Sequence, residues 1–242
     1  MTERFAFVPT WAQARGASME VVWIASYPRS GNTFLRTILW HCFGLRSGSI
    51  YPDDLGGNKA LEDYVGHIEH GPGNQILFPE NSVALIKTHD YPIDANPAIY
   101  VIRDGRAASV SLWRFYNKSI SLQAVIEGRH RFGTWSAHVA AWKPWERKNT
   151  LLLEYEDLRG NLPLVLDKIS HFLKREIVSQ HLPDRNTIAN ADGRWVRSKT
   201  DWKAEISGEL LERFNEINGE MLKKMGYEPW LPDAAKNKMQ DD

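Results

Sequence analysis

The chain has one cysteine, Cys42, in 242 residues. No intrachain disulfide can form, so a packed core must supply stability, and a reducing, cytoplasmic setting is expected. Charge of one sign is also lacking: 30 Lys and Arg face 30 Asp and Glu. That balance argues against a strong non-specific field for nucleic acid, so any anion site has to come from local placement of basic side chains. No run of about 18 apolar residues is available to span a bilayer. No repeat, Gly/Ser-rich linker or low-complexity tract divides the sequence. The first stretch, "MTERFAFVPTWAQARGASME", interrupts its apolar residues with Glu3, Pro9, Gln13 and Arg15 and lacks a signal-peptide core. Residues 1–19 therefore read as a loosely ordered extension ahead of one domain over 20–242.

Apolar content of 43% is ample for a continuous core. "VVWIASY" (21–27) is a β-branched run that ends at Pro28, as a buried strand would. Behind it Phe34, Leu35, Ile38 and Leu39 recur at helical spacing as far as Gly44. "NSVALIKTH" (81–89) and "PAIYVIRD" (97–104) read as two more buried strands, with a helix over 105–118 after the second. "NTLLLEYEDL" (149–158) is a fourth strand running into a helix that ends near Leu173. A last helix is expected between Ser207 and Lys224. Strands alternating with helices predict an α/β domain with a central parallel sheet flanked by helices. Such sheets bind ligands beyond the carboxyl ends of their strands, where Tyr27, His89, Arg103 and Tyr155 fall. The Gly-, Pro- and Asp-rich region 45–82 has no sustained period and reads as a lid or substrate loop.

"SYPRSGNT" has the strand, turn and helix order of a phosphate-binding loop, where helix N–H groups and the helix dipole meet an anion. It is not a G-x-x-x-x-G-K-[ST] loop. Ser26 stands at the first glycine, Asn32 at the lysine, the cation has moved to Arg29, and Thr33 keeps the hydroxyl position. No acidic metal partner of a nucleoside-triphosphate site stands out. "KTH" (87–89) adds a cation and an imidazole at one strand end. "RDGRAASVS" (103–111) adds an arginine fork and, eight residues on, the Ser111 hydroxyl, a pairing suited to a terminal phosphate.

Taken in order, these blocks resemble the cytosolic-type sulfotransferases. "SYPRSGNTF" is similar to their 5′-phosphosulfate loop T-Y-P-K-S-G-T-T-W, and "IRDGRAASVS" to their 3′-phosphate block. "KTH" is similar to the segment with their catalytic histidine, and "EYEDL" (154–158) to their Y-E-D-L/M segment. "DWK" (201–203) and "LLERFNEINGEMLKKMGY" (210–227) resemble their carboxyl-terminal part. Three departures are visible. Arg29 replaces lysine, Phe34 replaces tryptophan, and "RWVRSKTDWK" lacks the glycine of the late R-K-G block. No dimerisation motif is recognisable, which leaves the oligomeric state open.

The resemblance implies a P-loop-like strand-loop-helix and 3′-phosphoadenosine 5′-phosphosulfate as donor, with no metal required. Arg29, Ser30, Gly31, Asn32 and Thr33 would wrap the phosphosulfate, and Arg103 and Ser111 would hold the 3′-phosphate. Phe34 would stack on the base with Tyr155 beside it, and Arg194, Arg197 or Lys199 would add a second clamp. His89 would be the general base, with Arg29 and Lys87 stabilising the leaving oxygen. A small-molecule or natural-product acceptor with a hydroxyl or amine would meet Tyr64, Phe78, Trp113 and Tyr116. His67 and His70 read as solvated or substrate-facing side chains rather than metal ligands. Trp135, Trp142 and Trp145 read as a packed helix face. A kinase-like phosphotransferase and a non-catalytic nucleotide-binding module remain open at this point.

Overall fold

The structure is a computed structural model that describes residues 20–79, 83–191 and 201–228. In chain order its elements are β1 Val21–Ala25, α1 Asn32–Phe43, β2 Ser47–Ser49, α2 Lys59–Val65, β3 Ala84–Thr88, β4 Ala98–Ile102, α3 Gly105–Phe115, α4 Leu122–Ile126, α5 Trp135–Trp142, β5 Thr150–Glu154, α6 Tyr155–Gly160, α7 Leu162–Leu173, α8 Arg185–Ala191 and α9 Glu209–Lys224. Its contacts form two compact units. One holds the described residues up to Arg103 and those from Trp142 to Ala191, and the other holds Asp104–Ala141 with 201–228.

The first unit contains the whole sheet, which is parallel throughout in the order β2-β3-β1-β4-β5. Side chains alternate between its faces. Val22, Ile24, Leu85, Ile99, Val101 and Leu153 form one core with Leu35, Ile38 and Leu39 of α1 and Val165, Leu166 and Ile169 of α7. From the other face, the Tyr100 ring meets the Trp142 ring at 5.9 Å. Burying each such side chain contributes about 1.5–3 kcal/mol, which holds the strands in register. The chain leaves β1 toward β2 on one side and returns to β4 on the other. The crevice beyond β1 is thus where a ligand is expected.

Two expectations about local structure need correction. Region 45–82 is not a continuous loop. It supplies β2, which pairs with β3, and α2, whose Asn58 side chain accepts a bond from the Leu61 N–H as an N-cap. Leu61, Tyr64 and Val65 pack with Leu55 in a satellite cluster, which buries most of the Tyr64 side chain. Trp145 lies beyond the end of α5 and shares no helix face with Trp142.

In the second unit, Asn218 of α9 accepts from the Ser136 N–H at 3.0 Å, and Arg114 pairs with Glu205 at 2.7 Å. The Trp135 ring lies so close to Gly105 that a Cβ there would sit 2.6 Å from it, so α3 has to begin with glycine. Among the described residues, no helix is long and apolar enough to cross a membrane.

Candidate active site

Register brings the motifs of the first unit together. Ala25 lies opposite Thr88, so Ser26 and His89 are the next residues beyond the ends of β1 and β3. Ile102 lies opposite Glu154, so Arg103 and Tyr155 are the next beyond β4 and β5. Four motifs far apart in sequence therefore end at one edge of the sheet.

The bend between β1 and α1 has Arg29 at φ 67° and Gly31 at φ 108°. Left-handed residues alternating with right-handed ones turn successive N–H groups toward a common point, as anion-binding nests do. No side chain caps α1, and its first turn holds no acidic residue. The positive end of the helix dipole is therefore not offset by a carboxylate of its own first turn. Ser30 Oγ is buried there without a hydrogen-bond partner, as is Asn32 Oδ1. An orphaned hydroxyl beside an uncapped helix start fits a phosphate or sulfate oxygen, which would accept its proton. The Asn32 amide nitrogen instead donates back to the Ile24 carbonyl at 2.9 Å and the Ser26 hydroxyl at 3.3 Å. It braces the bend, so its side-chain N–H groups are already committed.

Arg103 and Tyr155 close one side of this bend. Arg103 Nη1 donates to the Arg29 carbonyl at 2.9 Å, and its guanidinium carbon lies 4.4 Å from the Tyr155 ring centroid. A Cβ on Gly31 would sit 2.6 Å from the same ring, so glycine is needed for both its φ and this approach. Phe34 is half-buried and packs against the core beneath.

His89 closes another side. Its Nδ1 lies 2.8 Å from the Ser26 carbonyl, which can only accept, so Nδ1 carries the proton and Nε2 the lone pair. Its backbone N–H donates to the Tyr51 hydroxyl at 2.8 Å, and that hydroxyl donates to Asp90 at 3.1 Å. The Tyr51 ring stacks on the imidazole at 6.1 Å. Burial pushes the Tyr51 phenol well above its ordinary value, which keeps it a neutral donor.

Beneath the bend lies a charged cluster absent from the sequence reading. Lys87, 4% exposed, donates to Asp54 Oδ1, and Arg36, fully buried, donates to Asp54 Oδ2 at 2.6 Å. Arg36 also donates to Ser47 Oγ at 2.8 Å and contacts His67 Nδ1 at 2.8 Å. Arginine cannot accept, so His67 presents a lone pair. Burial, with Arg36 next, pushes His67 down to about 4. His67 is thus a buried neutral acceptor, contrary to its reading as a solvated or substrate-facing residue. His70 contacts the Ser49 carbonyl at 2.8 Å. Among the described residues, no group of three or more His, Cys, Asp or Glu is placed to hold a metal. Burial alone would raise Asp54, but Lys87 and Arg36 outweigh it and hold the carboxyl far below its ordinary value. Burial also lowers Lys87; Asp54 opposes this, while Arg36 and Arg29 add to it.

Other expected site residues are placed as follows. Phe78 is half-buried and lies over Gly48 of β2. Ser111 is buried on α3 in the second unit, and Trp113 and Tyr116 are half-buried there. Lys118 Nζ lies 4.5 Å from the Trp113 ring centroid, and the Tyr116 ring lies 6.3 Å from that of His130. Arg194, Arg197 and Lys199 lie outside the described residues. Tyr51, Asp54 and Arg36 complete the arrangement; Tyr51 and Asp54 come from the 45–82 region read as a lid or substrate loop, and Arg36 from α1.

Comparison with known proteins points the same way. The sequence model of the sulfotransferase domain matches residues 20–226. Human sulfotransferase 4A1 is 26% identical over 174 residues, covering 63% of this chain and 59% of that protein. Human sulfotransferase 1E1 is 27% identical over 205 residues, covering 74% and 68%. The chain thus spans under two thirds of the length of sulfotransferase 4A1. Among solved structures, mouse sulfotransferase SULT7A1 in complex with PAP is similar, with TM-score 0.56 and 16% identity over 93% of this chain and 90% of that one. Retinol dehydratase in complex with androsterone and PAP has TM-score 0.59 and 19% identity, covering 88% and 83%. At these identities the structural likeness is one of fold.

Proposed function

The chain belongs to the sulfotransferase domain family, and on that premise we propose that it transfers a sulfuryl group from 3′-phosphoadenosine 5′-phosphosulfate to a hydroxyl or amine of a small-molecule acceptor. One observation carries the proposal: the Ser26 carbonyl fixes the proton of His89 on Nδ1, leaving Nε2 as a base next to an uncapped, glycine-bent helix start. The donor, when bound, supplies an activated sulfuryl group. Ser30, Thr33 and the N–H groups of residues 30–33 are assigned to its 5′-phosphosulfate, with Arg29 as the cation at the leaving oxygen. Arg103 is assigned to the 3′-phosphate and Tyr155 to the neighbourhood of the base. Phe34 is assigned to stacking on the base.

His89 Nε2 takes the acceptor proton as the new bond forms. A base positioned in this way contributes about 10²–10⁴-fold. The rest of the rate comes from orientation and from fixed N–H dipoles aimed at developing charge. Arg29 brings a planar fork where the family commonly has lysine. It can therefore hold two oxygens at once rather than follow one. Roles for Ser111, Trp113, Tyr116 and Phe78 rest on the resemblance and on their aromatic or hydroxyl chemistry. A cytoplasmic setting is part of the same reading and is supported by the lone, buried Cys42.

Thermal unfolding tests the nucleotide assignment. Adenosine 3′,5′-bisphosphate at 100 times its dissociation constant stabilises the fold by about 2.7 kcal/mol, and it does so without magnesium. Stabilisation by ATP only, and only with magnesium, would instead indicate a phosphotransferase.

A further inference from the structure

We propose that Asp54, held from behind by Arg36, is the positioning residue for Lys87, fixing where its ammonium stands and keeping it protonated during sulfuryl transfer. The proposal rests on the sulfotransferase reading above and adds to it a residue from the region that looked like a loop.

Lys87 is the last lysine before the carboxyl end of β3, two residues ahead of His89, on the face that α1 covers. Its ammonium is too deeply buried to be solvated, and a buried charge has to be paired. Among the described residues, Asp54 is the carboxylate that pairs with it. Asp54 does not choose its own orientation. Oδ2 is bound by Arg36, and Arg36 is fixed in turn by the Ser47 hydroxyl, the Ser47 carbonyl at 3.3 Å and His67 Nδ1. The chain of contacts thus runs from β2 through Arg36 and Asp54 to Lys87.

The charge count separates a positioning role from a structural ion pair. The groups facing Lys87 are the Asp54 carboxylate, the Arg36 guanidinium, the Arg29 guanidinium, neutral His67 and the Tyr51 ring 5.6 Å from Nζ. One carboxylate serves two buried cations, Arg36 and Lys87, so the cluster keeps one unit of positive charge, and Arg29 adds another. A neutral ion pair would leave no net charge at this place. A cluster left cationic beneath the bend favours negative charge developing on a leaving oxygen there.

The test compares parent, Asp54→Asn and Asp54→Glu by kcat and donor KM from pH 6 to 9.5. In a second readout, ¹³C-labelled lysine follows the Lys87 Cε resonance, assigned by its loss in Lys87→Met. In the parent, Lys87 stays protonated and kcat shows no alkaline fall below about pH 9. In Asp54→Asn the ammonium loses its proton at lower pH, and kcat falls at least about tenfold between pH 7 and 9 while donor KM stays within about threefold. Asp54→Glu restores the parent profile. If Asp54→Asn loses the parent's near-ultraviolet dichroism, Arg36→Met with Asp54→Asn removes one charge of each sign and is read in the same way.

An unmoved Lys87 resonance, a parent-like pH profile in Asp54→Asn, or a loss of kcat equal at every pH would overturn the proposal. So would an alkaline fall near pH 8 in the parent. Should the parent transfer no sulfuryl group to any acceptor, the sulfotransferase reading fails, while the resonance comparison still decides the role of Asp54.

Discussion

Replacing His89 by alanine lowers turnover by about 10²–10⁴-fold and leaves the affinity for adenosine 3′,5′-bisphosphate within about twofold of the parent. The split follows from what the imidazole touches. Nδ1 is spent on the Ser26 carbonyl at 2.8 Å, and the backbone N–H rests on the Tyr51 hydroxyl at 2.8 Å. The ring is thus held by its Nδ1 bond and by the Tyr51 ring stacked on it, and Nε2 supplies the chemistry. The product nucleotide has no acceptor proton to lose, so its binding does not depend on that base. The bend keeps its shape in the variant because Asn32 still bonds the Ile24 carbonyl and the Ser26 hydroxyl. Single-turnover transfer of labelled sulfate, read beside a nucleotide titration, measures both quantities. Parent-like turnover removes His89 from the mechanism. A loss of affinity as large as the loss of rate would make it a brace for the loop instead.

Arg103→Ala raises the donor KM and weakens adenosine 3′,5′-bisphosphate by about 10²-fold, equivalent to about 2.7 kcal/mol, with kcat changed by less than about threefold. Its guanidinium is half-buried, packed on the Tyr155 ring and bonded to the Arg29 carbonyl. Removing it deletes a charge that a terminal phosphate would use, and it also removes the bond from Arg103 to the Arg29 carbonyl in the bend. Arg103→Lys separates the two effects. It keeps the charge but not the planar fork or the stacking, so it recovers affinity only in part. Isothermal titration of the two variants and the parent checks this. Equal affinity in all three contradicts the assignment.

The strand-loop-helix around Arg29 was legible because each of its parts is a local signal. These are a β-branched run, a proline at its end, a glycine in the bend and apolar residues at helical spacing behind. The convergence of His89, Arg103 and Tyr155 was legible one step further, since motifs at the ends of parallel strands share one edge of the sheet. The cluster beneath was not legible. Arg36 sits on the apolar stripe of α1, where its partner cannot be read, because Asp54 is 18 residues away and Lys87 a further 33. β2 is three residues of serine and glycine, too short and too small for any pattern, yet it supplies Ser47 to Arg36. His67 looked solvated for the same reason. Its burial follows from the pairing of its backbone with Ser47, which only the folded sheet creates. Tyr64 has an acceptor-like aromatic ring, but α2 turns it inward, and its hydroxyl lies 3.4 Å from the Pro183 carbonyl.

The central claim is that the start of α1 receives the phosphosulfate end of the donor with the His89 base beside it. A crystal structure with adenosine 3′,5′-bisphosphate bound tests this most directly. The account predicts 5′-phosphate oxygens within hydrogen-bond distance of Ser30 Oγ and the N–H groups of residues 30–33, and the 3′-phosphate on the Arg103 guanidinium. A nucleotide bound away from the bend, with Ser30 Oγ and Arg103 untouched by phosphate, would contradict it.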